Sequence, residues 1–483
     1  MNMSTALNNA LGGLTAASRG AAVVSGNVAN ALTPGYARRS LELATNTIAG
    51  HGVRTVGVVR HHDPVLTANR RETDADLARQ SAISDFHTRL EGLVGSADQS
   101  TSLATRLADF DNSLITAASL PDSTQRLDQV ARAGRGLSTS LNVASEGLRQ
   151  LRSDSDRTIG KQVQTLNQTL HDIEKLNAKI PAIKNAGSDI GALLDQRQVL
   201  IDQLNTLVPV NVVPRSNDQV SIYSDGGLIL LEGKAAEFSF SVTGDTKPHM
   251  TVANGLLSGL EMNGNPVRTS GDNAQIRGGA LMAQFEIRDA LTLDAQVNLD
   301  TLARDLIERF ETPGVDPTAS ATDPGLFTDG GGRFDTTAVT GLASRVSLND
   351  IVDPDTGGDS WRLRAGLGAA TPGDPGDATQ LRAFGAVLND ARPVAGAIFG
   401  TGNMRAAEIT EALLSRAGAD AHTADARKVF ASGAQIEMTK IEAEQGVDTD
   451  QELQRLMQIE KIYAANARLI SVVDELMDTL LRL

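Results

Sequence analysis

A chain of 483 residues is too long for one compact core, so length alone predicts several domains. With 44 Lys and Arg against 59 Asp and Glu the formal charge is −15, a field that repels phosphate backbones and argues against nucleic acid as a main partner. The absence of cysteine excludes disulfides, thiolate catalysis and cysteine-based zinc or iron–sulfur sites, and 3% aromatic content leaves little surface for stacking bases or sugars.

The first 32 residues set Leu7, Leu11, Leu14, Ser18, Ala21, Ser25, Val28 and Leu32 at alternating steps of four and three, the spacing of a helical seam built partly of small residues. Asn2, Ser4, Thr5, Asn8, Asn9 and Thr15 interrupt this stretch, so it reads neither as a membrane span nor as a secretory signal; an exported protein of this sequence takes another route. Thr33-Pro34-Gly35 ends the helix. A β-like stretch follows over 36–59, and Asp63-Pro64 reads as an N-cap and first helical residue of a long helix to about Val94. Helices are predicted over 101–119 and 123–151. Another runs from about Asp156, with Ile159, Val163, Leu166, Leu170, Ile173 and Leu176 in register, and a further one covers 191–207.

At Pro209 the period changes to alternation. Val220 and Ile222, then Leu228 to Leu231, then Phe238, Phe240 and Val242 read as strands, with a turn at Asp225-Gly226-Gly227 and β character to about Asn273. A long helix returns at 280–310. Residues 313–400, rich in Gly, Pro and Asp, predict loops and short strands. Two helices close the chain, at about 404–445 and 448–480. The last carries Leu453, Leu456, Ile459, Tyr463, Ala467, Ile470, Val473, Met477 and Leu480 on one face.

The predicted fold is mainly α with a β insertion. It comprises paired N- and C-terminal coiled-coil helices (1–48 and 446–483), a long-helix bundle (49–208, 277–312 and 401–445), an outward-projecting β-rich domain (209–276) and an irregular loop-rich segment or subdomain (313–400). Two terminal helices sharing one small-residue interface bury too little to offset the entropy of ordering them. The ends are therefore expected to be mobile in the free protein and to order against neighbouring subunits; the alternative is an ordinary two-helix stalk, ordered without partners.

No catalytic, cofactor or metal site is predicted. The seven histidines form neither H-x-x-x-H nor H-E-x-x-H, and His61-His62-Asp63 is their only cluster. Asp353-Pro354-Asp355-Thr356-Gly357-Gly358-Asp359 imitates a calcium loop but has Arg364 where the bidentate Glu belongs, so it reads as a flexible acidic turn. Gly366-Leu367-Gly368 lacks the third glycine and the βαβ setting of a dinucleotide loop.

Ser25-Gly26-Asn27-Val28-Ala29-Asn30-Ala31-Leu32-Thr33-Pro34-Gly35-Tyr36 resembles the N-terminal signature of the flagellar rod, hook and hook-associated proteins. Gly446 to Leu453, Tyr463 to Ile470 and Met477 to Leu481 are similar to their C-terminal signature. Leu194-Asp195-Gln196-Arg197 through Leu204, followed by Leu207-Val208-Pro209-Val210, resembles the D-Q-R segment of the flagellar hook-associated protein 1 family. The resemblance implies a non-enzymatic subunit of the extracellular hook–filament junction, exported unfolded through the flagellar type III channel. It implies as partners copies of itself in a ring or helical array, the hook protein, a second junction protein and an export chaperone on the C-terminal region, with no membrane insertion. The expected assembly interface is Leu7, Leu11, Leu14, Asn27, Val28, Asn30, Leu32, Pro34, Gly35 and Tyr36 with Leu453, Leu456, Ile459, Tyr463, Asn466, Ala467, Ile470, Val473, Met477 and Leu480. The alternatives are another axial subunit of hook or distal rod, and a flagellum-associated wall hydrolase, for which no positioned carboxylate pair is found.

Overall fold

Helix α1 (Met3–Ala29) ends in hydrogen-bonded turns over 30–36 and leads into an antiparallel hairpin of β1 (Arg39–Thr45) and β2 (Val53–Arg60). The computed structural model describes residues 3–45, 52–96, 99–271, 273–394, 396, 398–400 and 402–482, with the backbone alone for Leu480. The predicted β residues 46–51 and the Leu480 side chain therefore lie outside the described residues.

The helix starts follow local chemistry. Asp63 Oδ1 accepts from the N–H groups of Val65 and Leu66 at the head of α2 (Pro64–Val94), and Ser102 Oγ accepts from Thr105 N at the head of α3 (Leu103–Ser119). Next come α4 (Thr124–Asn185) and α5 (Gly191–Leu207). Helix α4 is one helix of 62 residues where the sequence suggested two. The polar run that reads as a break is buried and satisfied from outside the helix. Arg152 donates to the carbonyls of Lys247, Met250 and Arg288, while Asp156 accepts from Thr243 N and pairs with Arg288.

Strands β3 (Val210–Pro214), β4 (Val220–Ser224), β5 (Ile229–Glu232) and β6 (Lys234–Ala235) form one antiparallel sheet. A second sheet joins β7 (Phe238–Ser239), β8 (Leu260–Met262) and β9 (Asn265–Val267). Phe240 and Val242 leave the predicted strand, because the Phe240 ring packs edge-on against Phe285 and under the Arg288 guanidinium instead. The long helix that follows is α6 (Gly279–Glu286), a π-helical turn at Ile287–Leu291 and α7 (Thr292–Phe310). The 313–400 stretch contains β10 (Phe327–Asp329), β11 (Val346–Leu348), a short α8 (Arg362–Ala365), an unpredicted α9 (Thr379–Asn389) and β12 (Arg392–Pro393). Strand β13 (Asn403–Met404), α10 (Ala406–Glu444) and α11 (Thr449–Leu481) complete the chain, the last capped by Asp448.

The chain is mostly helical with a few small sheets. Helix α4 serves two cores. Its first half, Leu127 to Leu148, packs with α3, α7, α9, the start of α10 and residues 326–367 around Phe110, Phe310, Phe327 and Phe384, whose rings meet at tilted or edge-on angles. Its second half, Ile159 to Ile173, packs with α5, α6 and the two sheets that follow Pro209. No described helix is long and apolar enough to cross a membrane.

Candidate functional site

Helices α1 and α11 pack antiparallel along a face of small residues. Gly13 faces Asn466, Gly20 faces Ile459 and Asn27 faces Glu452, each step seven residues on both helices. A Cβ on Gly13 would stand 2.8 Å from the Asn466 amide, and one on Gly20 would stand 3.2 Å from Ile459 Cδ1, so glycine sets the closeness of the pair. Ala10, Ala16, Ala17, Val24 and Asn27 are buried here. The predicted seam lies one residue further along, about a quarter-turn away. Leu7, Leu14, Ala21 and Val28 are half-buried, Ser18 and Ser25 are exposed, and Leu11 and Leu32 are 45% and 98% exposed.

On α11, Val473 is buried and Leu456, Ile459, Asn466, Ala467 and Ile470 are half-buried, whereas Leu453, Tyr463 and Met477 face solvent. A second stripe escaped the sequence reading. Ile462, Leu469 and Leu476 repeat every seven residues, with Val472 beside them, and all four are exposed. The signal was present in the spacing but was masked by the stronger stripe alongside it.

A polar knot ties the root of this pair to the rest of the chain. Asn27 is fully buried; its Nδ2 donates to Arg39 O at 2.8 Å and Glu452 Oε2 at 2.9 Å, and its Oδ1 accepts from Tyr36 Oη and Arg39 N. Glu452, itself 1% exposed, accepts also from Arg38 Nε at 2.9 Å and Arg455 Nη1 at 3.0 Å. Asn30 Nδ2 donates to Gly26 O, closing the last turn of α1. Burial raises the Tyr36 hydroxyl pKa against the pull of Arg39, whose guanidinium lies over the Tyr36 ring. Gly35 sits at φ +76° with its Cα so close to α5 that a Cβ would be 2.4 Å from Val199 Cγ2. Pro34 is exposed beside it.

The D-Q-R segment gains definite roles. Asp195 accepts from Arg39 Nη2 and Arg60 Nε, both at 2.7 Å, and so pins both strands of the hairpin to α5. Arg197 donates to Asn177 Oδ1 and Asp218 O, and burial lowers its pKa to about 10. One and two turns on, Asp202 binds Arg70 and Arg71 of α2, while Arg70 also binds Asp74 and Glu442 of α10. Helix α5 thus joins the hairpin, α2 and, through Arg70, α10.

The residues that imitate chemical motifs have structural partners. His61 Nε2 meets Ser40 Oγ, Asp63 caps α2, and Asp353 pairs with Arg135. Leu367 N donates to Asp316 Oδ2, and a Cβ on Gly366 or Gly368 would collide with Thr318. Among the described residues no cluster of His, Asp and Glu forms a metal site.

The family model of the flagellar hook-associated protein FlgK helical domain matches residues 87–314, and that of the flagellar basal body rod FlgEFG protein C-terminal region matches residues 443–483. Flagellar hook-associated protein 1 of Bacillus subtilis is 24% identical over 98% of this chain and 96% of its own length. This chain is a relative of flagellar hook-associated protein 1. The Escherichia coli and Salmonella typhimurium members are 27% and 28% identical over 52% of the chain, which thereby spans about half their lengths (47% and 46%). The flagellar hook junction protein FlgK from Burkholderia pseudomallei is a partial structural neighbour, with TM-score 0.44 and 20% identity over 56% of this chain and 47% of that one. The two family matches contain α5 and α11, the helices that carry Asp195 and Glu452. The hook-associated family is structural.

Proposed function

We propose that this protein is an exported structural subunit of the bacterial flagellum that joins the hook to the filament and self-assembles through α1 and α11. The observation that carries the reading is the state of those helices. They span 27 and 33 residues, yet the buried side chains between them are mostly Ala, Val and Asn with Glu452. Buried methyl-sized groups contribute about 0.8 kcal/mol each, against about 1–2 kcal/mol per residue for ordering the backbone. The seams at Leu7–Leu11–Leu14 and Ile462–Leu469–Leu476 are left for neighbouring copies, in a heterologous array.

On this reading the paired ends form a coiled-coil assembly domain whose free form is mobile. The helices from 49 to 208, with 277–312 and 401–445, form a bundle, and 209–276 is a β-rich domain that projects outward. Residues 313–400 share the first core of that bundle. The partners are copies of this chain, the hook protein, a second junction protein and a chaperone holding the C-terminal region before export. The match to the helical-domain model favours the junction over a hook or rod subunit. The test is a Leu469→Asp, Leu476→Asp variant, which leaves the α1-facing side intact. Export without incorporation into flagella is the expected result; normal incorporation rejects the reading.

A further inference from the structure

Most arginines of this acidic chain are matched to carboxylates, as at Arg38, Arg39, Arg60, Arg70, Arg288 and Arg345. Three that are not share one cleft. Arg106 of α3 and Arg126 and Arg132 of α4 line a depression of about 540 Å³ and make no ion pair among the described residues. Arg106 Nε is buried with no hydrogen-bond partner. Arg126 Nη1 is held by neutral acceptors, Thr116 O at 2.8 Å and Ser119 Oγ at 2.6 Å, and Arg132 reaches only Gln129 Oε1 at 3.4 Å. Asp109 is the single carboxylate in the wall. Ser123 gives the first turn of α4 no side-chain cap, so the positive end of a 62-residue helix adds to the same field.

We propose that this cleft is a carboxylate-binding docking surface for a second copy of the chain. The proposal rests on the assembly reading above and adds to its apolar seams a separate, electrostatic contact on the bundle. Two molecules of charge −15 repel one another at long range, and three unopposed guanidiniums against one Asp form a patch of the opposite sign that receives an acidic neighbour. Arginine forks suit carboxylates in geometry, and an incoming oxyanion would satisfy the orphaned Arg106 Nε. A cleft on one copy and carboxylates on another is a heterologous contact, the kind an open array requires.

The cysteine-free chain makes the test direct. A Gln129→Cys variant places a single thiol in the cleft for maleimide labelling in the free protein and in isolated flagella. Labelling should be fast in the free protein and at least about tenfold slower in flagella, and an Arg106→Glu, Arg132→Glu variant with an unchanged melting curve should incorporate about tenfold less well, while Arg106→Lys, Arg132→Lys incorporates nearly normally. A photo-crosslinker on that thiol should yield a homodimer. Equal labelling in both states, normal incorporation of the charge-reversed chain, or an adduct with a different flagellar protein would each overturn the proposal. Absence of the unmodified chain from flagella would instead overturn the assembly reading on which it rests.

Discussion

Removing the Glu452 carboxylate tests the knot that roots the terminal helices. In Glu452→Ala three donors lose their acceptor: Asn27 Nδ2, Arg38 Nε and Arg455 Nη1. Breaking a buried pair by deleting one partner costs about 3–5 kcal/mol when the other charge stays buried. Here Arg38 and Arg455 are 20% and 44% exposed and regain water, and Asn27 Nδ2 keeps Arg39 O at 2.8 Å. The loss is therefore set lower, at about 2–3 kcal/mol, which multiplies local opening by about 30- to 150-fold at 1.4 kcal/mol per factor of ten. The assay is native-state hydrogen exchange of the isolated protein. Amides in the turns of α1 and α11 at the knot, beside Asn27 and Glu452, should exchange faster by that factor while those of α4 keep their protection. Glu452→Gln, which retains an acceptor for Asn27, should fall well short of the alanine effect. Unchanged exchange in α1 and α11, or an equal rise in α4, would refute the assignment of Glu452 as a local pin.

Arg288→Ala leaves Asp156, fully buried, without its cationic partner and should destabilise the fold by about 3–5 kcal/mol in urea titration; a loss below 1 kcal/mol would show that the pair is replaceable. Gly35→Ala should cost more than Gly187→Ala. Both glycines have φ near +77°, with a strain of about 1–2 kcal/mol for any L-residue, but a Cβ meets Val199 only at position 35. Equal melting temperatures of the two variants would contradict the close seating of the loop on α5. His62 and His87 both have pKa values lowered from 6.5, first by burial and then, for His62, by Arg60. The unfolded chain therefore binds protons first as pH falls, so this part of the stability is complete above about pH 7 and is lost as pH drops through 6.5 and below. A His62→Gln, His87→Gln double variant should flatten the change in urea midpoint between about pH 7 and 5.5; an unaltered slope would refute it.

What was legible in the residues was local. Asp63-Pro64 and Asp448 announce helix starts because a cap bonds within its own first turn. The long-range features were hidden. Arg152 to Asp156 reads as a break because its partners lie near residues 243–250 and 288, far along the chain. Glu452 reads as one more solvated carboxylate, since Asn27, which buries it, is 425 residues away. The face of α1 that meets α11 lies one residue from the leucine seam, because periodicity weighs leucines whereas close packing selects Gly13, Ala17 and Gly20. Helix α9 was missed because Gly and Pro crowd its N-terminal flank, although Leu381, Phe384 and Leu388 keep helical spacing. The D-Q-R segment could be seen as a family mark, but its function as a hub depends on Arg39, Arg60 and Arg70, brought in by the hairpin and α2.

Deleting the gene in its own host and examining the cells by electron microscopy tests the junction role most directly. Hooks of normal length that carry no filament, with flagellin released into the medium and filaments restored by the intact gene, are the predicted result. Normal filaments on the deletion strain would contradict it.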